Sequence, residues 1–188
     1  MELLGPTGSI KDRTAKALID DLLFKGLLTP GKELLEPTSG NTGAALAVHA
    51  AARSIPLTLV MPANVTEERR AFVRALGATI IDSPADQGSN GAVALARALA
   101  KGDTKYVMPD QYANQANPKV HEVTTAPEIL TDLPEVDVVV AGLGTGGTAT
   151  GLARYFAREK PSVKIWAAEP MPGEKAVSYT HLTLPTKA

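Results

Sequence analysis

No cysteine occurs in the 188 residues, which excludes disulfides, thiolate metal sites and a cysteine nucleophile. Three histidines, His49, His121 and His181, leave little with which to build a zinc centre, and no metal is expected. Long runs of one charge are also missing, and the formal net charge is -1, so no nucleic acid and no membrane surface is expected as a partner. No apolar run approaches membrane-spanning length, and the first residues lack a charged-then-apolar leader. Cytoplasmic placement and small-molecule ligands are the resulting expectations. Aromatic residues make up only 4%, and the single tryptophan, Trp166, is expected in the core at the end of a sheet.

What is present is a 44% hydrophobic chain with 16 glycines and 14 prolines, the composition of one soluble α/β domain or one and a half. Short apolar segments alternate with helical periodicity, each helix stopped by Gly or Pro, which is the βαβ rhythm of a parallel sheet. Helices are predicted over 12–25, 41–53, 66–76, 91–100 and 119–133, and one opens within 142–151. Thr66 is read as a capping residue, with Glu67 and Glu68 in the first turn and Glu67 to Arg70 as a solvated helix start. Pro127 predicts a kink or a break in the helix that holds it. Strands are predicted over 33–36, 57–61, 79–81, 106–108, 136–141 and 163–168, that over 136–141 being buried, and residues 1–4 read as the last residues of another strand.

Ligands of open parallel sheets bind at the carboxyl ends of strands, so the strand-to-helix loops are the places to look. The first, Gly5-Pro-Thr-Gly-Ser-Ile-Lys-Asp-Arg13, puts Lys11 at the mouth of a helix. A cation is poorly placed there, because the helix dipole favours anions, and the misplacement should lower the lysine pKa toward an amine able to form a Schiff base. A surface lysine following a turn is the plainer account of that one residue. The second loop, Thr38-Ser-Gly-Asn-Thr-Gly43, sets hydroxyls, an amide and unhindered N–H groups at a helix start, suited to a carboxylate or phosphate. Helix capping by Ser39 or Asn41 explains one such residue rather than four in a row. The third, Gly142-Leu-Gly-Thr-Gly-Gly-Thr148, has the G-x-G-x-x-G spacing with Glu169 at the end of the next strand, so an NAD-binding Rossmann module is a rival. Thr145 and Thr148 tilt the loop toward a terminal phosphate, since two hydroxyls add side-chain donors.

Taken together, Pro6-Thr-Gly-Ser-Ile-Lys-Asp-Arg13, Glu36-Pro-Thr-Ser-Gly-Asn-Thr-Gly43, Asp110-Gln-Tyr112, Asn117-Pro118, Thr124-Thr125 with Glu128, and Gly144-Thr-Gly-Gly-Thr148 stand in the order and rough spacing of the cysteine synthases. The chain resembles that family, the O-acetylserine sulfhydrylases, from Met1 to about Gly173. The resemblance implies an α/β, fold-type II pyridoxal-phosphate enzyme like the tryptophan synthase β chain, with two parallel-sheet domains. It implies that Lys11 carries pyridoxal 5′-phosphate as a Schiff base and moves the α-proton, that Asn41 meets the ring hydroxyl, and that Gly144, Thr145, Gly146, Gly147 and Thr148 hold the phosphate. Thr38, Ser39, Gly40, Thr42 and Gln111 would take the substrate carboxylate. The implied reaction is β-replacement, making L-cysteine from an activated serine and either sulfide or a thiocarboxylated carrier protein, in a homodimer. Met61 to Arg70 and Gln87 to Gly91 look closer to the B-type enzymes, some of which use O-phosphoserine. Cystathionine β-synthase carries similar motifs, and a serine or threonine dehydratase is a more distant alternative. His121 is expected as a helix-surface or supporting histidine rather than a proton shuttle.

Against the family pattern, residues 1–117 correspond to a first domain lacking its start and residues 118–175 to part of a second, so truncation at both ends is expected and the activity of the chain alone is in question. Residues 176–188 are expected to be a non-native tail, because Val177-Ser-Tyr-Thr-His-Leu-Thr-Leu-Pro-Thr186 leaves the βαβ rhythm and resembles a translated sequencing adapter. On that reading strands such as Val136–Val140 lose their neighbours.

Overall fold

The computed structural model describes residues 2–169, and the expected tail lies outside them. The chain divides into two compact units, Met1–Asn114 and Gln115–Ala188. In the first, α1 (Lys11–Phe24), β1 (Glu33–Pro37), α2 (Asn41–Ala51), β2 (Leu57–Pro62), α3 (Glu67–Ala75), β3 (Thr79–Ser83), α4 (Gly88–Gly102) and β4 (Tyr106–Val107) alternate along the chain. The strands form one parallel sheet in the order β3-β2-β1-β4. Right-handed crossovers through helices are what join parallel neighbours, so a sheet of this kind is covered on both faces and its central strands are buried on both sides. Accordingly β2 is buried along its whole length and β1 from its second residue.

Side chains alternate between the faces. Leu34, Leu59 and Met61 join Ala15, Ile19 and Leu22 of α1 and Ala45, Leu46 and Ala50 of α2, whereas Leu35 and Val60 meet Ala92 and Ala96 of α4. The alanines of α2 allow it to lie close on the sheet and on α1. Both faces end at the carboxyl edge of β1, where the chain turns from Pro37 into α2.

The second unit begins with one continuous helical run, α5 (Ala116–Val120), a π-helical turn over His121–Thr125, and α6 (Ala126–Asp132). Pro127 lies in the first turn of α6, and its ring would clash with the carbonyl of Val123 in a regular helix. The wider π turn relieves that clash, so the expected interruption takes the form of a bulge within an unbroken run. Strands β5 (Val138–Gly142) and β6 (Lys164–Ala168) then pair in parallel through α7 (Gly147–Glu159).

Several expectations are corrected. Glu2–Leu4 is a 3-10 turn, not a strand end. Thr66 stands at the N-cap of α3 but its hydroxyl makes no capping bond. Arg70 is buried rather than solvated, because its guanidinium closes the end of β2 by donating to Val65 O, Pro62 O and the Asp82 carboxylate, at 3.1, 3.1 and 2.7 Å. Val138, Val140 and Trp166 are exposed instead of core, since among the described residues α7 covers the strand pair on one side and nothing covers the other, while Val136 and Ala141 are buried.

Candidate functional site

In the first unit Lys11 opens α1 after a short irregular loop. The neighbouring acid does not neutralise it: both oxygens of Asp12 turn back to Thr7, taking its N–H at 3.0 Å and its hydroxyl at 2.8 Å. Among the described residues the Lys11 ammonium has neither hydrogen-bond acceptor nor ion-pair partner. Burial holds its pKa below the ordinary lysine value, the direction expected from the sequence but by desolvation. A partly buried amine poised to lose its proton is a nucleophile and a base.

At the carboxyl end of β1, Thr38–Gly43 turns into α2 with Gly40 at the N-cap and no capping by any side chain. Neither Ser39 nor Asn41 caps the helix, and the Thr38 hydroxyl instead accepts the Gly40 N–H at 3.3 Å. The helix start therefore keeps donors directed outward, beside the buried Thr42 hydroxyl. Thr42 donates to Gln111 Oε1 at 2.7 Å, which ties this loop to the one that follows β4. Arg69 of α3 reaches the Ser39 carbonyl at 3.3 Å. Lys11, the Thr38–Gly43 loop and Gln111 thus belong to one unit, the last two in direct contact.

In the second unit, Gly144–Thr148 links β5 to α7. Gly146 has φ +78°, a left-handed conformation that favours glycine. A Cβ on Gly147 would fall 2.1 Å from Asn117 Oδ1, so the backbone of α7 can approach α5 only with hydrogen there. Asn117 donates to the Thr145 hydroxyl at 2.9 Å, and Thr145 Oγ1 in turn accepts the Gly147 N–H at 3.4 Å. His121, expected either on a helix surface or as a supporting residue, is fully buried, with Nδ1 3.0 Å from the Thr125 hydroxyl and Nε2 3.4 Å from that of Thr148. A left-handed glycine, two oriented hydroxyls and the start of a thirteen-residue helix make a cradle that fits a phosphate monoester. Glu169, the acid expected for a ribose, directly follows β6.

Sequence reasoning passed over Glu36, Asn117 and Arg69 as parts of these loops. For Glu36 a signal existed, an acidic residue directly after the apolar pair Leu34-Leu35 and at the inner end of its strand.

A buried lysine of lowered pKa in the first unit and a glycine–threonine loop shaped for a phosphate in the second are each features that suit a pyridoxal-phosphate enzyme, and comparison with known proteins gives that class. Residues 1–185 match the family described as pyridoxal-phosphate dependent enzyme, and the chain belongs to that family. It is 45% identical over 171 residues to a cysteine synthase of Flavobacterium, covering 90% of this chain and 56% of that protein. It is 43% identical over 179 residues to cysteine synthase A of Escherichia coli, covering 94% and 55%. Among solved structures, an O-ureido-L-serine synthase superposes with a TM-score of 0.86 at 41% identity, covering 90% of this chain and 54% of that one. An O-acetyl serine sulfhydrylase of Entamoeba histolytica gives 0.82 at 36%, covering 88% and 50%. The fold is the α/β architecture of fold-type II pyridoxal-phosphate enzymes, and the chain spans about half the length of the relatives it matches. No helix among the described residues is long and apolar enough to cross a membrane.

Proposed function

We propose that this chain carries the cofactor lysine, the carboxylate loop and the phosphate loop of an enzyme that makes L-cysteine by β-replacement. The observation that carries the reading is the partnerless, desolvated Lys11 in a family whose members depend on pyridoxal phosphate. The cysteine synthases at 43% to 45% identity supply the reaction. When bound, pyridoxal phosphate supplies an electron sink for negative charge developed at the substrate Cα.

The chain's own residues do the rest. Gly144, Thr145, Gly146, Gly147 and Thr148 hold the phosphate through backbone N–H groups and two hydroxyls. Asn41 would hydrogen-bond the ring hydroxyl, and Lys11 would hold the aldehyde carbon until the amino-acid amine takes its place there, which frees the Lys11 amine to act as a base. Thr38, Ser39, Gly40, Thr42 and Gln111 hold the amino-acid carboxylate, which orients the Cα–H bond. Neutral Lys11 accepts the proton from Cα as acetate or phosphate leaves Cβ, and returns it to Cα after the sulfur nucleophile has bonded to Cβ. Closure of the Thr38–Gly43 loop over the carboxylate excludes water. Sulfide or a thiocarboxylated carrier protein is the sulfur donor, and the working form is a cytoplasmic homodimer.

Borohydride treatment of pyridoxal-loaded protein should fix the cofactor to Lys11, located by peptide mapping, and Lys11→Ala should abolish both labelling and cysteine formation. Label on another residue, or protein that binds NAD instead, overturns the reading. O-acetylserine with sulfide, O-phosphoserine with sulfide, and serine with homocysteine, assayed side by side, separate the two cysteine synthase branches from cystathionine β-synthase.

A further inference from the structure

Glu36 is the one acidic side chain of the central strands that is fully buried, and nothing in the proposed reaction uses it. It lies at the carboxyl end of β1, paired in register with Leu59 of β2. Alternation puts it on the strand face opposite Leu35, away from Ala92 and Ala96 of α4. Its two oxygens accept the backbone N–H groups of Asp110 at 3.0 Å and Gln111 at 3.2 Å, and the Gln111 side chain is also hydrogen-bonded to it. Gln111 Oε1 in turn receives the Thr42 hydroxyl. One carboxyl group thus grips the turn after β4, where Asp110 adopts a left-handed φ of +50°, and through Gln111 reaches the start of α2.

We propose that Glu36 is the positioning residue of the amino-acid carboxylate site: it sets the backbone of Asp110–Gln111 and thereby the orientation of the Gln111 amide against Thr42. This rests on the assignment of Gln111 and Thr42 to the substrate carboxylate. A buried acid beside an anion site can serve that site only while neutral, because its own negative charge repels the ligand and draws the Gln111 donors inward.

Burial pushes the Glu36 carboxyl up to about 8, against the lowering effect of its N–H donors. Among the largest influences on it the one charged group is Asp110, whose like charge pushes the same way. β2 offers it uncharged Leu59, the first turn of α2 carries no acidic residue, and no ion pair reaches it among the described residues. The site is therefore strongest below pH 8 and weakens above it.

The test compares L-serine binding to pyridoxal-loaded wild type and Glu36→Gln, read from the cofactor absorbance between about pH 6 and 9.5. Taking the ratio of the two affinities cancels the titrations of ligand and cofactor, which are common to both proteins. That ratio should fall about tenfold with a midpoint near 8, with cofactor loading equal in the two. A flat ratio overturns the proposal. A second measurement needs no variant: in cofactor-free wild type, the Glu36 side-chain carboxyl should titrate near 8 by carbon-13 NMR, with amide exchange at Asp110 and Gln111 changing in step. Titration in the ordinary carboxylate range, or exchange that ignores it, also refutes it. If L-serine binds neither protein while this titration is seen, the amino-acid reading fails and the grip of Glu36 on the 110–111 turn stands.

Discussion

β1 and β5 are both five-residue strands that run into a glycine-rich loop and a helix, yet they end in opposite environments. β1 has a strand on each side and helices on both faces, and it is buried from Leu34 to Pro37. Among the described residues β5 has a single strand neighbour, β6, and leaves Val138 and Val140 exposed. The difference teaches that an apolar run specifies a strand, whereas its burial depends on how many partners the rest of the chain brings to it. Each unit nevertheless holds its loop by the same device, a buried side chain on another segment: Gln111 in the first, Asn117 and His121 in the second.

The comparison breaks most visibly in the sheets. Leu59→Ala, in the middle of a fully buried strand, should cost about 2–5 kcal/mol, whereas Val140→Ala should change stability by about 0.5 kcal/mol or less. Urea unfolding of the two variants checks this, and equal losses would mean that β5 is buried after all.

The glycines sharpen it next. A Cβ at Gly151 of α7 would lie 2.4 Å from the Pro118 carbonyl and 2.7 Å from His121 Cβ, atoms of another backbone that cannot swing aside. Gly151→Ala should therefore cost about 1–3 kcal/mol by forcing α7 off the π turn, and the same shift should loosen the phosphate loop. A Cβ at Gly43 meets only Thr38 Cγ2 and Leu59 Cδ1, at 3.2 and 3.3 Å, so Gly43→Ala should be the milder change. Hydrogen exchange resolved by residue reads both.

Two acids give opposite pH slopes. Glu36 keeps its proton when folded, with a pKa raised from 4.5 to about 8, so its contribution is full below 4.5 and is lost as pH rises toward 8. Glu122, on the π turn, is held below the usual carboxylate range by its hydrogen bond from Arg158 and by Lys119. Its contribution is present above the ordinary value and lost as pH falls through the lowered one. Thermal unfolding should show Glu36→Gln flattening the fall in stability between pH 4.5 and about 8, and Glu122→Gln flattening the rise at acid pH, the second by less because its partners are exposed. The reverse assignment would show that the wrong acid had been placed in each limb.

The alternation of strands and helices was legible because each apolar run is short and punctuated by Gly or Pro, as around Gly26 and Gly77. Lys11, the Thr38–Gly43 loop and Gly144–Thr148 were legible because several unusual residues fall together. Burial was harder to read wherever it depends on distant segments. Arg70 looks solvated in a run of four charges until the Pro62 carbonyl and Asp82 are seen to close on it. His121 is local to a helix, but its partner Thr148 lies 27 residues on, and the π turn that carries both contacts follows from Pro127 and the packing of α7. Trp166 looked like core because large aromatics usually are, whereas β6 offers that position no second layer.

That last residue makes the chain report on itself. With one tryptophan in 188 residues, its ultraviolet emission comes from the second unit, and Trp166 sits 58% exposed on the bare side of β6. Its spectrum should have the long-wavelength maximum of an indole in water, quenchable by iodide, and should shift to shorter wavelength when anything settles on the β5–β6 face. Circular dichroism samples the helices of both units whereas this emission samples the second alone, so the two melts of one sample would separate the unfolding of the second unit from that of the whole chain.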